Sequence, residues 1–405
     1  MRTPRTALII GAGVVGIASA YALARRGVIV TILDAMPGAG MGASYGNGRQ
    51  LSYGYTDALA SRDLLGKIPR LALGCDPAFR IYPRFDAASI RWKLQFLRNC
   101  TEQKFRNNSI NGLMLARKSR DAMAALLAKH EIEFGHRIAG KMLLFGSDAA
   151  FARGRAIMYM KARHQERQMA LTYDEATDIE PALNAVSCPV AGVIYAPTEE
   201  TGNAALFAGR LGDVISREYG ASLRFNSAVK AIESDRDHAV VTMDSGEELQ
   251  ADIAIVCSGA AAGKLLRSMN IKAPIYPMKG YSFIAPATKA SPQVSITDVA
   301  RKLVFTRIGD EILIAGLADL GDDSPDVRPD RMADLIASAQ AALPEAADYR
   351  APRHHWSGLR PMTPDSLPII SRPSPTLAIN AGHGMLGWTL AMGSGEQLAE
   401  LIFEN

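Results

Sequence analysis

The sequence predicts an α/β protein in which a discontinuous nucleotide-binding domain carries an inserted α+β domain. Three observations predict it. Near the N-terminus, Ala7-Leu8-Ile9-Ile10 runs into Gly11-Ala12-Gly13-Val14-Val15-Gly16, a strand feeding a glycine-rich turn. Near the C-terminus stands a second glycine-rich segment, Gly382-His383-Gly384-Met385-Leu386-Gly387-Trp388-Thr389. Between them, strand patterns resume over residues 204–259 after a long, mostly helical stretch, as if the chain returned to its first domain. At 405 residues there is material for two cores.

Each element of the opening unit has a physical reason. Ala7 to Ile10 is the first strand, Val14 to about Arg26 a helix, and Val28 to Leu33 an apolar, β-branched run suited to a strand covered on both faces. Arg25 and Arg26 oppose the negative end of the helix dipole, and Gly27 stops the helix. Gly11 permits the tight turn, Gly13 lets backbone approach a pyrophosphate, and Gly16 allows close helix–strand packing; Val14 and Val15 begin the helix that faces the phosphates. Asp34, about twenty residues on, is placed to bind ribose hydroxyls. Ala35 and Met36 follow it, so a 2′-phosphate has no cationic partner there. The motif alone does not separate FAD from NAD. The second glycine segment, shaped to close over an isoalloxazine ring, points to a flavin. Gly42-Ala43-Ser44-Tyr45-Gly46 matches the G-x-S-x-G pattern of hydrolases, but a loop rather than a strand precedes it, so Ser44 is read as a hydroxyl contact to phosphate.

In the middle of the chain, residues 110–130 carry Leu113, Leu115, Met123, Leu126 and Leu127 at helical spacing. Phe151 to Met169 is helical and basic, either a solvated face over a core stripe or a membrane-surface helix. Ala205 to Tyr219 reads as a helix ending at Gly220. A strand and a meander follow (Val229–Ile232, Ala239–Met243, Ile253–Cys257), leading to Ser258-Gly259-Ala260, small enough to lie against a cofactor. The domain assignment is residues 1–50, 200–268 and 353–405 for nucleotide binding, with 51–199 and 269–352 for substrate.

Composition narrows the function. A formal charge of +4 is small for this length and argues against nucleic-acid binding. Hydrophobic residues at 48% and charged residues at 21% suit a soluble globular protein. Cys75, Cys100, Cys188 and Cys257 show no metal-ligand spacing, so no metal is expected. The first strand starts too early to follow a signal peptide, and no apolar run approaches the roughly 18 residues of a membrane span. The expected location is cytoplasmic, with peripheral contact at the inner membrane left open.

Further segments carry a resemblance: Tyr276-Pro277-Met278-Lys279-Gly280-Tyr281-Ser282, Trp356-Ser357-Gly358-Leu359-Arg360-Pro361-Met362-Thr363-Pro364-Asp365, and the C-terminal glycine segment followed by Gly393-Ser394-Gly395. With these the chain resembles the FAD-dependent D-amino-acid oxidase superfamily, and within it the small subunit of bacterial D-amino-acid dehydrogenases. The resemblance implies a D-amino-acid oxidase-like fold, FAD held without covalent attachment, and oxidation of a D-amino acid to an imino acid, with electrons passed to a quinone. Relatives acting on glycine, sarcosine, D-proline, hydroxyproline or an opine, some using oxygen, are the alternative.

It also implies that Arg360, on a constrained turn before Pro361, holds the substrate carboxylate through two parallel hydrogen bonds. Tyr281 and Lys279 are further candidates at the reacting centre. Asn47, Gln50, Val229 and Gly259 join the cofactor set, as do Gly384, Met385, Gly387, Trp388 and Thr389. Thr389 to Phe403 reads as a helix whose N-terminus faces the ring and steadies its reduced, anionic form. One departure stands out: Arg49, in Asn47-Gly48-Arg49-Gln50, replaces a glycine of the family segment and is a candidate for altering substrate choice.

Overall fold

The computed structural model describes residues 3–66, 68, 71, 74 and 76–404, so Cys75 lies outside the described residues. The first strand, Thr6–Ile10, sits near the centre of a six-stranded sheet. The order is Ser222–Arg224, Ile29–Leu33, Thr6–Ile10, Ile253–Val256, Leu377–Ala381, Ile369–Ser374, parallel except at the last pair. The helix Val14–Ala24 is buried on nearly every side. It lies between this sheet and the helices Ala204–Tyr219 and Gly387–Phe403, which explains an apolar composition all round rather than on one stripe. The helix ends at Ala24, short of the expected Arg26; Arg25 is its C-cap, and Arg25 and Arg26 both reach across to Glu396 of the final helix.

A nine-stranded mixed sheet forms the second layer. Its path runs from the edge strand Arg353–Met362 through Tyr276–Pro286, Glu311–Leu320, Leu303–Ile308, Ser295–Asp298, Lys141–Phe145 and Gly192–Ala196 to Met169–Leu171, and Phe79–Ile81 pairs off this path with Glu311–Leu320. The helix Pro329–Ala342 packs on it around a core that includes Phe283, Phe305, Ile314 and Leu335.

Three expectations about organisation shift. Arg353–Met362 hydrogen-bonds into the second sheet, so that strand leaves the 353–405 nucleotide segment. The helix expected at 110–130 spans Glu102–Lys129, and Leu115, Ala116, Met123 and Leu126 pack into the nucleotide-side core, although the segment 51–199 was assigned to substrate. The meander's third strand is Glu248–Ala251, whereas Ile253–Val256 crosses into the parallel sheet, its fully apolar sequence suiting burial on both faces. The basic helix ends at Ala162, and Met158 packs against Phe145, Phe151 and Ile194, so its apolar side is spent on the core.

Candidate active site

A cavity of about 2090 Å³ runs between the two sheets. One end is the glycine turn. Gly11 has φ +110°, and a Cβ at Gly16 would stand 1.8 Å from the Gly11 carbonyl oxygen, so both glycines are fixed by the turn itself. Gly13 differs: its nearest neighbour is the Ser44 hydroxyl at 3.5 Å, and the space above it opens into the cavity. The helix that follows carries no acidic side chain in its first turn, leaving its amide dipoles free to face an anion. The Asp34 carboxylate accepts the Ala12 and Met36 N–H groups while bordering the cavity. Ser44 lies in a loop, and its hydroxyl accepts the Val14 N–H at 3.2 Å, so it braces the turn. Val229 and Gly259 (φ +55°) line the same end.

From there the chain runs along the cavity wall. The loop through Asn47, Gly48 and Gln50 is tethered to the second sheet: Ser282 Oγ donates to the Gly46 carbonyl at 2.7 Å and Thr306 Oγ1 to that of Gly48 at 2.9 Å. Gly384, Met385, Gly387 and Thr389 also line the cavity. The final helix begins at Gly387, two residues before the expected start. Trp388 borders the cavity, but its ring is packed on Phe207 (centroids 4.8 Å apart) and Phe134 (6.0 Å). His383 is buried with Nε2 3.0 Å from Ser394 Oγ, and burial pulls its imidazole down to about 3, which keeps it neutral.

The other end is built on the second sheet. Met278 pairs with Leu320 on one side and Arg360 on the other, so these three side chains share a face, with Tyr276 and Met362 in the next row. Arg360 lies in a strand rather than on a turn; Pro361 is tolerated there because the strand is an edge. Gly280 clears the space under the guanidinium: a Cβ there would be 2.2 Å from Arg360 Nη2. Arg360 Nη1 donates to the Leu317 carbonyl at 3.0 Å. Among the described residues no carboxylate lies within ion-pair distance of Arg360, and Asp365 instead accepts the Leu367 N–H. Loss of hydration pulls the guanidinium down to about 10, with Asp319 acting the other way.

The remaining candidates are placed differently. Tyr281 borders the cavity, but its hydroxyl donates to Asp319 at 3.0 Å; burial, then Asp319, pushes the phenol above the ordinary tyrosine range. Lys279 points to the far side of its strand, where its ammonium meets Asp322 and the Asp326 carbonyl, so it does not line the cavity. Arg49 has φ +54°, the left-handed conformation that a glycine adopts freely and other residues at a cost of roughly 1–2 kcal/mol. Its side chain is buried away from the cavity. Burial lowers its guanidinium from the usual range, against the pull of Glu311. The glycine expected there thus answers a backbone requirement.

Sequence reasoning missed a buried polar cluster that reaches the cavity wall at Lys141, Tyr55 and Asp57 and includes Lys161 and Glu199. Lys141 begins an otherwise apolar strand, where a lysine reads as a solvated end, and the carboxylates come from distant segments, so no spacing announced it.

The sequence model of the FAD dependent oxidoreductase family, DAO, matches residues 6–401. The chain belongs to that family. It is 37% identical to a D-amino acid dehydrogenase 2 of Ralstonia nicotianae over 97% of this chain and 95% of that one. It is 32% identical to a D-amino acid dehydrogenase of Vibrio vulnificus over 98% and 95%. Among solved structures it is similar to the glycine oxidase of Geobacillus kaustophilus, with a TM-score of 0.77, 22% identity, and 100% and 96% coverage. That likeness speaks for the fold. The cofactor of this family is FAD, and the cavity fits it. The open cradle at Gly13 has room for a pyrophosphate, and Ser258 Oγ, Asn380 Oδ1 and Trp388 Nε1 are buried polar atoms of wall residues with no hydrogen-bond partner in the protein.

Proposed function

We propose that this FAD-dependent oxidoreductase oxidises D-amino acids at Cα, giving an imino acid that water converts to a keto acid and ammonium. Arg360 carries the reading. A guanidinium without an acidic partner, set in a largely apolar cavity, is an anchor for a substrate carboxylate. The names of the relatives at 32–37% identity support the same reaction.

FAD, when bound without a covalent link, would supply the acceptor for the Cα hydride. The chain's own residues do the rest. Arg360 fixes the carboxylate, and Met278, Leu320, Met362, Trp92 and Phe79 enclose the side chain and keep water out, favouring neutral apolar substituents. Alignment and a dry site supply most of the rate.

The electrons go to a membrane quinone. The helix Ala87–Asn99 favours that acceptor. Its inner side, with Trp92 and Phe96, lines the cavity, which Leu97 also borders, while Ile90 and Leu94, with Phe85 just before the helix, are exposed near Arg91 and Arg98. An apolar face flanked by cations suits an anionic lipid surface. No helix among the described residues is long and apolar enough to cross a membrane.

Anaerobic bleaching of the flavin by D-amino acids, with L-forms, glycine and sarcosine alongside, tests the reaction. Bleaching by apolar D-forms is expected. Bleaching by glycine or sarcosine alone would transfer the chain to the amine-oxidising alternative, and bleaching by L-forms would reverse the stereochemical reading.

A further inference from the structure

Lys141 is 3% exposed, yet it borders the cavity. Its ammonium donates to Gln50 Oε1 and to Ser52 Oγ, each at 2.8 Å, and sits 4.4 Å from the centroid of the Tyr55 ring. Both oxygen acceptors are neutral. Among the described residues Lys141 has no carboxylate within ion-pair distance, whereas neighbouring Lys161 is paired with Asp57 and donates to the Gly54 carbonyl. A buried cation left on neutral partners is costly unless something else supplies negative charge.

Ser52 shows where that charge belongs. Its N–H donates to Thr389 Oγ1 at 3.0 Å, in the first turn of the final helix. The positive end of that helix and the Lys141 ammonium therefore converge on one residue, and Gln50, Ser52 and Thr389 all line the cavity.

We infer that Lys141 is a positioning residue for the redox end of the cofactor: through Gln50 and Ser52 its ammonium, together with the helix N-terminus, stabilises the negative charge that the isoalloxazine gains on reduction. The inference rests on FAD lying with its ring at this wall and needs no particular amino-acid substrate.

The surrounding charges are consistent with a cation that titrates near neutrality. Burial pulls Lys141 down to about 8; Glu199 holds it up, Lys161 presses it down and Asp57 supports it. Glu199, which accepts the Gly54 N–H at 2.8 Å, is itself pushed up to about 7 by burial, with Glu166 adding to the push. Glu166 and Glu199 both lie against Gly54, with carboxylate oxygens 2.7 and 3.1 Å from where its Cβ would stand. These groups come from the segment after Gln50, the helix Asp148–Ala162 and the loop beyond it, and the residue preceding Glu200–Thr201.

The test uses the flavin-loaded protein and its Lys141→Met and Lys141→Arg variants. Two readouts need no turnover: the two-electron midpoint potential, and the affinity for sulfite, whose flavin adduct is anionic. At pH 7, Lys141→Met is expected to lower the equilibrium constant for reduction about tenfold, about 30 mV for a two-electron couple. Sulfite binding should weaken by a similar factor, and Lys141→Arg should restore most of both. The gap between wild type and Lys141→Met should close as pH rises through about 8, where wild-type Lys141 loses its proton. A Lys141→Met protein with full flavin and both quantities unchanged overturns the inference, as does equal loss in Lys141→Arg. If Lys141→Met does not retain flavin, the wild-type potential against pH decides: a break near pH 8, displaced in Lys141→Arg, supports it, and a featureless line overturns it. Failure of D-amino acids to bleach the flavin would leave these readouts untouched, so the two proposals fail separately.

Discussion

Gly280→Ala isolates the position of the Arg360 guanidinium from its charge. Gly280 lies within a strand and has no positive φ, so the backbone accepts alanine. The new methyl would stand 2.2 Å from Arg360 Nη2, 2.4 Å from Cζ and 2.9 Å from Nε. The guanidinium is the far end of a flexible side chain, so it gives way rather than the sheet. It must retreat by about 1.2 Å to reach the 3.4 Å at which ordinary contact begins. A shift of that size costs at least one of two charge-assisted hydrogen bonds, about 1.5–3 kcal/mol, and misplacement by about 1 Å can cost up to 10²-fold in rate. The expected result is a fall of roughly 10- to 100-fold in kcat/KM for D-amino acids, with flavin content and thermal midpoint unchanged. Stopped-flow flavin reduction across substrate concentration gives the apparent affinity and the limiting rate separately. Arg360→Ala sets the lower bound, since it removes the cation outright. Reduction kinetics for Gly280→Ala within about threefold of wild type, at full flavin loading, would refute the claim that guanidinium placement governs binding.

The other expectations follow from single sites. Gly13→Val should fold and lose FAD, because only the Ser44 hydroxyl is near its Cβ, whereas Gly16→Ala should fail to fold, its Cβ meeting the Gly11 carbonyl at 1.8 Å; absorbance of FAD and circular dichroism separate the two, and a flavin-replete Gly13→Val would remove the pyrophosphate assignment. His383 ionises at about 3 against an ordinary 6.5, so the unfolded chain takes up a proton that the folded chain refuses, and stability falls as pH drops below 6.5. At pH 5 the loss is about 2 kcal/mol, and His383→Gln should flatten that part of the thermal-midpoint profile; parallel profiles for the two proteins would rule the effect out. Ile90→Glu with Leu94→Glu should abolish co-sedimentation with phosphatidylglycerol vesicles while leaving flavin bleaching in solution intact. Equal sedimentation of both proteins, or wild-type self-association lost in the double variant, would assign that face elsewhere.

What the sequence disclosed depended on how local each requirement was. The glycine turn was readable because three constraints fall within six residues: a positive φ at Gly11, an open cradle at Gly13, and backbone contact at Gly16. The return of the chain to its first sheet was readable from strand composition, but the fine boundaries were not. Glu248–Ala251 and Ile253–Val256 are separated by Asp252 alone, yet join different sheets. Arg49 was read as a chemical departure; its φ of +54° adds a conformational requirement at that position that the sequence alone does not display. Lys279 was a candidate at the reacting centre, but its ammonium turns to Asp322 and the Asp326 carbonyl, partners far along the chain that the sequence alone does not bring together. The cluster at Lys141 draws on segments near residues 50, 160 and 199 and could not be assembled without the fold.

Two arginines near Asp319, Arg331 on the helix Pro329–Ala342 and Arg360 on the edge strand, differ in what is left for a ligand. Arg331 is fully buried and clasps Asp319, with Nη2 at 2.7 Å from Oδ1 and Nε at 3.1 Å from both oxygens. Tyr281 donates to the Oδ2 of the same carboxylate. Asp319 is near enough to Arg360 to favour its charged form, yet its oxygens are already occupied by Arg331 and Tyr281. The strand Glu311–Leu320 therefore offers Arg360 a carbonyl, at Leu317, and no counter-ion. The long-range field keeps the guanidinium charged inside an apolar cavity, and the absence of a close carboxylate leaves its remaining donors for a ligand. Tyr281, which also borders the cavity, thus contributes by occupying Asp319, which leaves Arg360 without that counter-ion.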